Sequence, residues 1–146
     1  MAVTVKRITL WRTEVEHKPG VLAGILGPLA GAGANLRVLM GYRYPGNELK
    51  AAVELFPVSG KKSVEAARAA GLSASSIPTL LVEGANKPGL GHAIAEAIAG
   101  AGINLGFLVA QSIGRKYSAV FGFESEDDAR KAATLIKKAA AGKKKT

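Results

Sequence analysis

The chain has 146 residues, 48% of them hydrophobic and 21% charged, and carries a formal net charge of +9 at pH 7. That length can bury one sizeable core or two small units that share burial. No cysteine is present, which excludes a disulfide scaffold, cysteine-ligated zinc and thiol chemistry.

Positive charge on this scale invites nucleic acid or an acidic membrane surface as partner. Lys137, Lys138, Lys143, Lys144 and Lys145 place much of it at the extreme C-terminus, however, where a frayed, solvated Lys-rich tail is expected. The first residues, Val3-Thr4-Val5-Lys6-Arg7-Ile8, lack the charged, apolar and small-residue regions of a secretory leader, so a cytoplasmic protein is expected.

In chain order, Val5 to Glu16 alternates Ile8 and Leu10 against Thr9, Trp11 and Thr13 and reads as one strand. After the turn Lys18-Pro19-Gly20, Leu22, Ile25, Leu26 and Leu29 recur at helical spacing until Gly33 supplies a stop. Pro28 is expected to kink this helix, because it lacks an N–H and clashes with the preceding turn. Leu36 to Tyr44, the turn Pro45-Gly46-Asn47, and Leu49 to Val58 read as a hairpin, and Ser63 to Gly71 as a short helix. Thr79 to Glu83 reads as a strand. It is followed by a helix over 89–101 and a hairpin of Asn104 to Ile113 and Tyr117 to Glu124, turning at Gly114-Arg115. Ser125 with Asp128 makes a capping-box-like start for the last helix. No closing strand follows that helix.

The chain says nearly the same thing twice. His17-Lys18-Pro19-Gly20 leads to Gly31-Ala32-Gly33-Ala34-Asn35-Leu36, and Asn86-Lys87-Pro88-Gly89 leads at the same spacing to Gly100-Ala101-Gly102-Ile103-Asn104-Leu105. Across these 20 aligned positions 10 are identical without a gap, so two copies of one supersecondary unit are present. The repeat also disposes of a membrane span at 19–36, a stretch without charge. Its counterpart contains His92 and Glu96, and Gly24, Gly27, Pro28, Gly31 and Gly33 suit a soluble helix instead. The expected division is 1–74 and 75–146.

The turn of X-Lys-Pro-Gly, the apolar helix, the Gly-X-Asn and the following strand, set in a βαββα order, resemble the ACT domain, a small ferredoxin-like ligand-binding module. The resemblance covers residues 4 to 141 and occurs twice in order. It implies an α+β protein of two ferredoxin-like βαββαβ units, with antiparallel sheets and helices on one face. It also implies a non-enzymatic regulatory role, with an amino acid held near helix N-termini where domains meet side by side, a homodimer, and a regulated enzyme that the sequence does not identify. No cofactor is implied. Asn86 and Asn104 match the two family positions whose side chains hydrogen-bond an amino acid, and Gly89, Leu90 and Gly91 line the same helix start. His17, Gly20, Val21 and Asn35 form the counterpart, altered because His17 stands where Asp or Asn is usual. On this resemblance the second copy is the stronger site, and Asn104→Ala is expected to abolish binding.

The residues themselves fit such a site. A glycine between strand and helix allows close approach of a ligand, unpaired helix N-terminal N–H groups favour a carboxylate, and an amide can serve both ends of a zwitterion. Gly20 and Gly89 would equally serve turn geometry alone, and Asn35 and Asn104 would equally satisfy their own loops.

Catalytic chemistry is not supported by the sequence. Ala110-Gln111-Ser112-Ile113-Gly114 lacks the first glycine of a nucleophile elbow, and Gly60-Lys61-Lys62-Ser63 lacks the upstream glycine of a phosphate loop. Gly89-Leu90-Gly91 lacks the third glycine of a dinucleotide fingerprint. His17 and His92 do not have metal-ligand spacing, and Glu126-Asp127-Asp128 suits a helix start. Two alternatives stay open: a ligand-free oligomerisation module, suggested by Gly91 where a bulky apolar residue is usual, and RNA binding by a basic ferredoxin-like sheet. Tyr117, Phe121 and Phe123 alternate on one face, yet only 5% of residues are aromatic, so nucleic acid is not expected.

Overall fold

The computed structural model describes residues 3–141. The elements in chain order are β1 (Val3–Ile8), β2 (Trp11–Glu16), α1 (Val21–Gly31), β3 (Val38–Arg43), β4 (Lys50–Phe56) and α2 (Lys61–Ala69). They continue with β5 (Ser73–Ala74), β6 (Thr79–Ala85), α3 (Leu90–Gly100), β7 (Leu105–Ile113), β8 (Lys116–Phe123) and α4 (Glu126–Ala140). The protein is α+β and ferredoxin-like, with two four-stranded antiparallel sheets ordered β3-β4-β2-β5 and β1-β6-β8-β7.

The division expected at 74/75 is corrected by the pairing of β1. Val5 to Glu16 is not one strand. The chain leaves its ladder at Thr9-Leu10, so that Val3–Ile8 pairs with Gly84–Thr79 of β6 while Trp11–Glu16 pairs with β4 and β5. One compact unit is therefore 9–76, inserted into a second made of 3–8 and 77–141. The closing strand absent after α4 is supplied by β1 from the start of the chain. Its Val3 is buried and its Val5 packs on the core of that unit, which is the apolar gain that selects this edge.

In the inserted unit, Ile25 and Leu29 of α1 pack with Val53 and Leu55 of β4, Ala67 of α2 and Leu72. The helix runs continuously from Val21 to Gly31 with Pro28 inside it. In the outer unit, Leu90, Ile94 and Ile98 of α3 and Ala129, Ala132, Ile136 and Ala140 of α4 pack on Leu80, Val82, Tyr117, Ala119, Phe121 and Phe123. The alternating aromatics of β8 thus face the helices and are buried, which removes them as an RNA-stacking surface.

The most faithfully repeated residues have backbone reasons. Gly20 and Gly89 open α1 and α3 in the left-handed region, at φ 89° and 83°. Gly33 and Gly102 close the same helices at φ 83° and 73°. At each C-terminus a pair of bonds caps the helix: Gly33 N–H to Ala30 O and Ala34 N–H to Leu29 O, both at 3.0 Å, and Gly102 N–H to Ala99 O at 2.9 Å with Ile103 N–H to Ile98 O at 3.3 Å.

Candidate functional site

In the inserted unit, β2 ends at Glu16, and the His17 N–H donates to the Leu49 carbonyl at 2.9 Å, which holds the following turn beside β4. The Val21 N–H turns back to Lys18 O at 3.4 Å, and Gly20 O accepts from Gly24 N–H at 3.0 Å, starting α1. Between this first turn of α1 and the sheet lies a cavity of about 310 Å³. Val15, Ala51 and Val53 provide its apolar strand side, Val21 and Leu22 its helix side, and Glu16, His17, Lys18 and Arg43 its charged margin.

The hollow has a specific origin in sequence. Gly41 is paired with Val53 and Arg43 with Ala51, so two small residues sit at next-but-one positions of the β3–β4 ladder, on the same face. A Cβ built on Gly41 meets no heavy atom within 4 Å. At the margin, Lys18 Nζ lies 3.3 Å from Glu16 Oε1, both side chains being largely exposed, so a cation and an anion stand together beside an apolar recess.

The opposite strand face carries a polar cluster. The Tyr42 hydroxyl donates to Oε2 of the buried Glu54 at 2.7 Å, and Arg12 Nε lies 3.6 Å from the same oxygen. Arg12 also donates to the Tyr44 hydroxyl at 2.5 Å, which donates in turn to Glu14 Oε2 at 2.5 Å. Burial, then the Glu54 hydrogen bond, pushes the Tyr42 phenol up, whereas the Tyr44 hydrogen bond holds the Glu14 carboxyl down. Opposing burial, the hydrogen bonds with Tyr44 and Tyr42 keep the Arg12 guanidinium firmly charged. No nucleophile with a base is formed in this cluster. Among the described residues no group of three or more His, Cys, Asp or Glu could hold a metal ion, and no helix is long and apolar enough to cross a membrane.

Of the residues the sequence nominated, the cavity gathers His17 and Val21. Gly20 is adjacent in the chain as the helix cap, while Asn35 is exposed beyond the far end of α1 and does not line the cavity. In the outer unit, Asn86, Gly89, Gly91 and Asn104 are exposed. Asn86 N–H donates to Arg115 O at 2.7 Å, and Leu90 N–H donates to Lys87 O at 3.2 Å. The Leu90 side chain belongs to the core at 2% exposure. Gly41, Ala51, Val15, Val53 and Arg43 were not nominated. Their signal was the pair of small residues Gly41 and Ala51, which acquires meaning only once the register puts them on one face.

Neither a protein-family model nor a curated protein matches the sequence. Solved structures do. A protein from Bacteroides thetaiotaomicron is similar over 89% of this chain and 88% of its own length, with a TM-score of 0.72 at 14% identity. The regulatory subunit of aspartate kinase from Thermus thermophilus, in a ligand-free form, is similar over 95% and 97%, with a TM-score of 0.63 at 16% identity. A structure of aspartokinase alpha and beta subunits gives 97% and 98%, with a TM-score of 0.63 at 17% identity. At these identities the shared property is the fold.

Proposed function

We propose that this protein is a non-enzymatic regulatory module of the ACT type that binds an amino acid in the cavity of the inserted unit. The observation that carries the reading is the placement of an apolar recess against the first turn of α1, at the repeated Lys-Pro-Gly junction, with Glu16, Lys18 and Arg43 at its margin. Lys18, Arg43 and the helix N-terminus suit a carboxylate, Glu16 suits an ammonium, and Val15, Val21 and Val53 suit an aliphatic side chain. The sequence favours the second copy, through Asn86 and Asn104. The geometry favours the first, through the cavity.

The likeness in fold to the regulatory subunit of an aspartate kinase supports a regulatory role. A homodimer completes this proposal. Strand β7 is a sheet edge exposing Leu108, Val109 and Ile113, so it offers both backbone pairing and apolar surface to a second copy. That same edge favours the second reading, an oligomerisation module without ligand.

A thermal-shift screen of the whole chain against the twenty amino acids and common purines separates them, because ligand at about 100 times its Kd adds about 2.7 kcal/mol. A selective rise with one or two aliphatic amino acids is expected. No rise with any amino acid at millimolar concentration would remove the ligand-binding reading and leave the oligomerisation module.

A further inference from the structure

We infer that, of the two repeated helix-start junctions, only that of the inserted unit forms a ligand chamber, and that the outer unit has filled the corresponding space with its own core. The inference rests on the amino-acid-binding reading above and assigns the two repeats different roles.

The comparison is internal. The repeat aligns Arg43 with Ser112, and the ladders pair Arg43 with Ala51 but Ser112 with Tyr117. Tyr117 therefore stands where the inserted unit has Ala51. It is 7% exposed and part of the outer core. At the first helical position Val21, which lines the cavity, becomes the buried Leu90, and Gly41 becomes Ala110. Three other aligned residues shrink instead, since Val15, Val53 and Leu22 become Gly84, Ala119 and Gly91. Gly84 is paired directly with Tyr117, so the aromatic ring lies beside the room that two valines occupy in the other copy. The charged margin is lost as well: Glu16 and Arg43 become Ala85 and Ser112.

The second helices complete the difference. Helix α2 has 9 residues and ends at Ala69, whereas α4 has 15 and ends at Ala140. The extra length extends α4 by about 9 Å. Its last turns bury Ile136 and Ala140 in the same cluster as Leu90 and Tyr117, and the Ala140 carbonyl lies 3.5 Å from Lys87 Nζ, in the outer copy of the Lys-Pro-Gly junction. Strand β1 runs beside β6 as far as Gly84, while its inserted-unit counterpart β5 reaches only Trp11 and Arg12 of β2. The outer unit thus closes the end that the inserted unit leaves open.

Isothermal titration of the whole chain with the aliphatic amino acid selected by thermal shift tests this. The expected result is one ligand per chain, affinity lowered at least tenfold by Gly41→Val, and affinity unchanged by Asn104→Ala. Arg43→Ser, an exposed change that copies the outer unit, provides the same readout should Gly41→Val fail to fold, with a loss of similar size. Two ligands per chain, or loss of binding in Asn104→Ala with retention in Gly41→Val and Arg43→Ser, would overturn the single chamber while leaving the amino-acid reading intact. No binding by any amino acid would remove both.

Discussion

The Tyr42 hydroxyl donates to Oε2 of Glu54 at 2.7 Å, while Oε1 of the same carboxylate, equally buried, has no hydrogen-bond partner among the described residues. A buried acid so served depends on few groups, and Arg12 at 3.6 Å supplies the remaining compensation. Tyr42→Phe is expected to destabilise the protein by about 1–3 kcal/mol in chemical denaturation, because the carboxylate stays buried with its phenol gone. The double variant Tyr42→Phe/Glu54→Met is expected to recover most of that loss, since no acid then remains to be desolvated. A double variant as unstable as the single one would show that packing, and not the hydrogen bond, carries the effect.

The three tyrosines of the chain all titrate late. Burial raises Tyr117, burial and then Glu54 raise Tyr42, and the Glu14 hydrogen bond raises Tyr44, each from an ordinary value of 10.0. A folded pKa above the unfolded one gives stability that is complete below the unfolded value and declines as pH rises through the folded values. Stability is expected to fall above about pH 10, and near-ultraviolet phenolate absorbance of the folded protein to lag behind that of the denatured chain. Coincident titration curves would contradict this.

On the acid side, the Arg7 hydrogen bond holds the Glu126 carboxyl below its ordinary 4.5, and the Tyr44 hydrogen bond does the same for Glu14. Depressed folded values give stability that is present above the unfolded pKa and lost as pH falls through the folded one. Melting temperature is therefore expected to drop as pH falls below about 4.5, with a shallower slope in Glu126→Gln, where one such group is absent. Both side chains of the Arg7–Glu126 pair are exposed enough for salt to weaken the effect.

Helix α4 starts at Ser125, whose hydroxyl accepts from the Asp128 N–H at 3.1 Å. Ser125→Ala is expected to cost about 0.5–2 kcal/mol in equilibrium unfolding. Ser125→Asp is expected to retain most of the stability, since it keeps an acceptor at the same place. Equal losses in both would argue against the cap.

If β7 joins two copies, Val109→Lys is expected to convert a dimer to a monomer in sedimentation equilibrium without lowering helical content. Val109 is 47% exposed on an edge strand, so the change leaves the core of its own chain intact. A variant that remains dimeric would place the self-association elsewhere.

The sequence was informative where structure is local. The hairpins, α3, the Ser125 cap and the duplicated junctions follow from periodicity and from glycines at turns, all of which act over a few residues. It misled where local signals run on. Val5 to Glu16 has uninterrupted strand character, and nothing within it shows that the chain changes sheets at Thr9-Leu10.

What the sequence by itself determined was two copies of one α+β unit and the backbone of their junctions, because left-handed turns demand glycine wherever they occur. The tertiary structure alone decided that Val3–Ile8 completes the later unit, and that Gly41 and Ala51 border a hollow whereas Tyr117 and Leu90 are buried in a core. Strand partnership and cavity volume depend on residues brought together from far apart in the chain, with gains in burial that no short window of sequence contains.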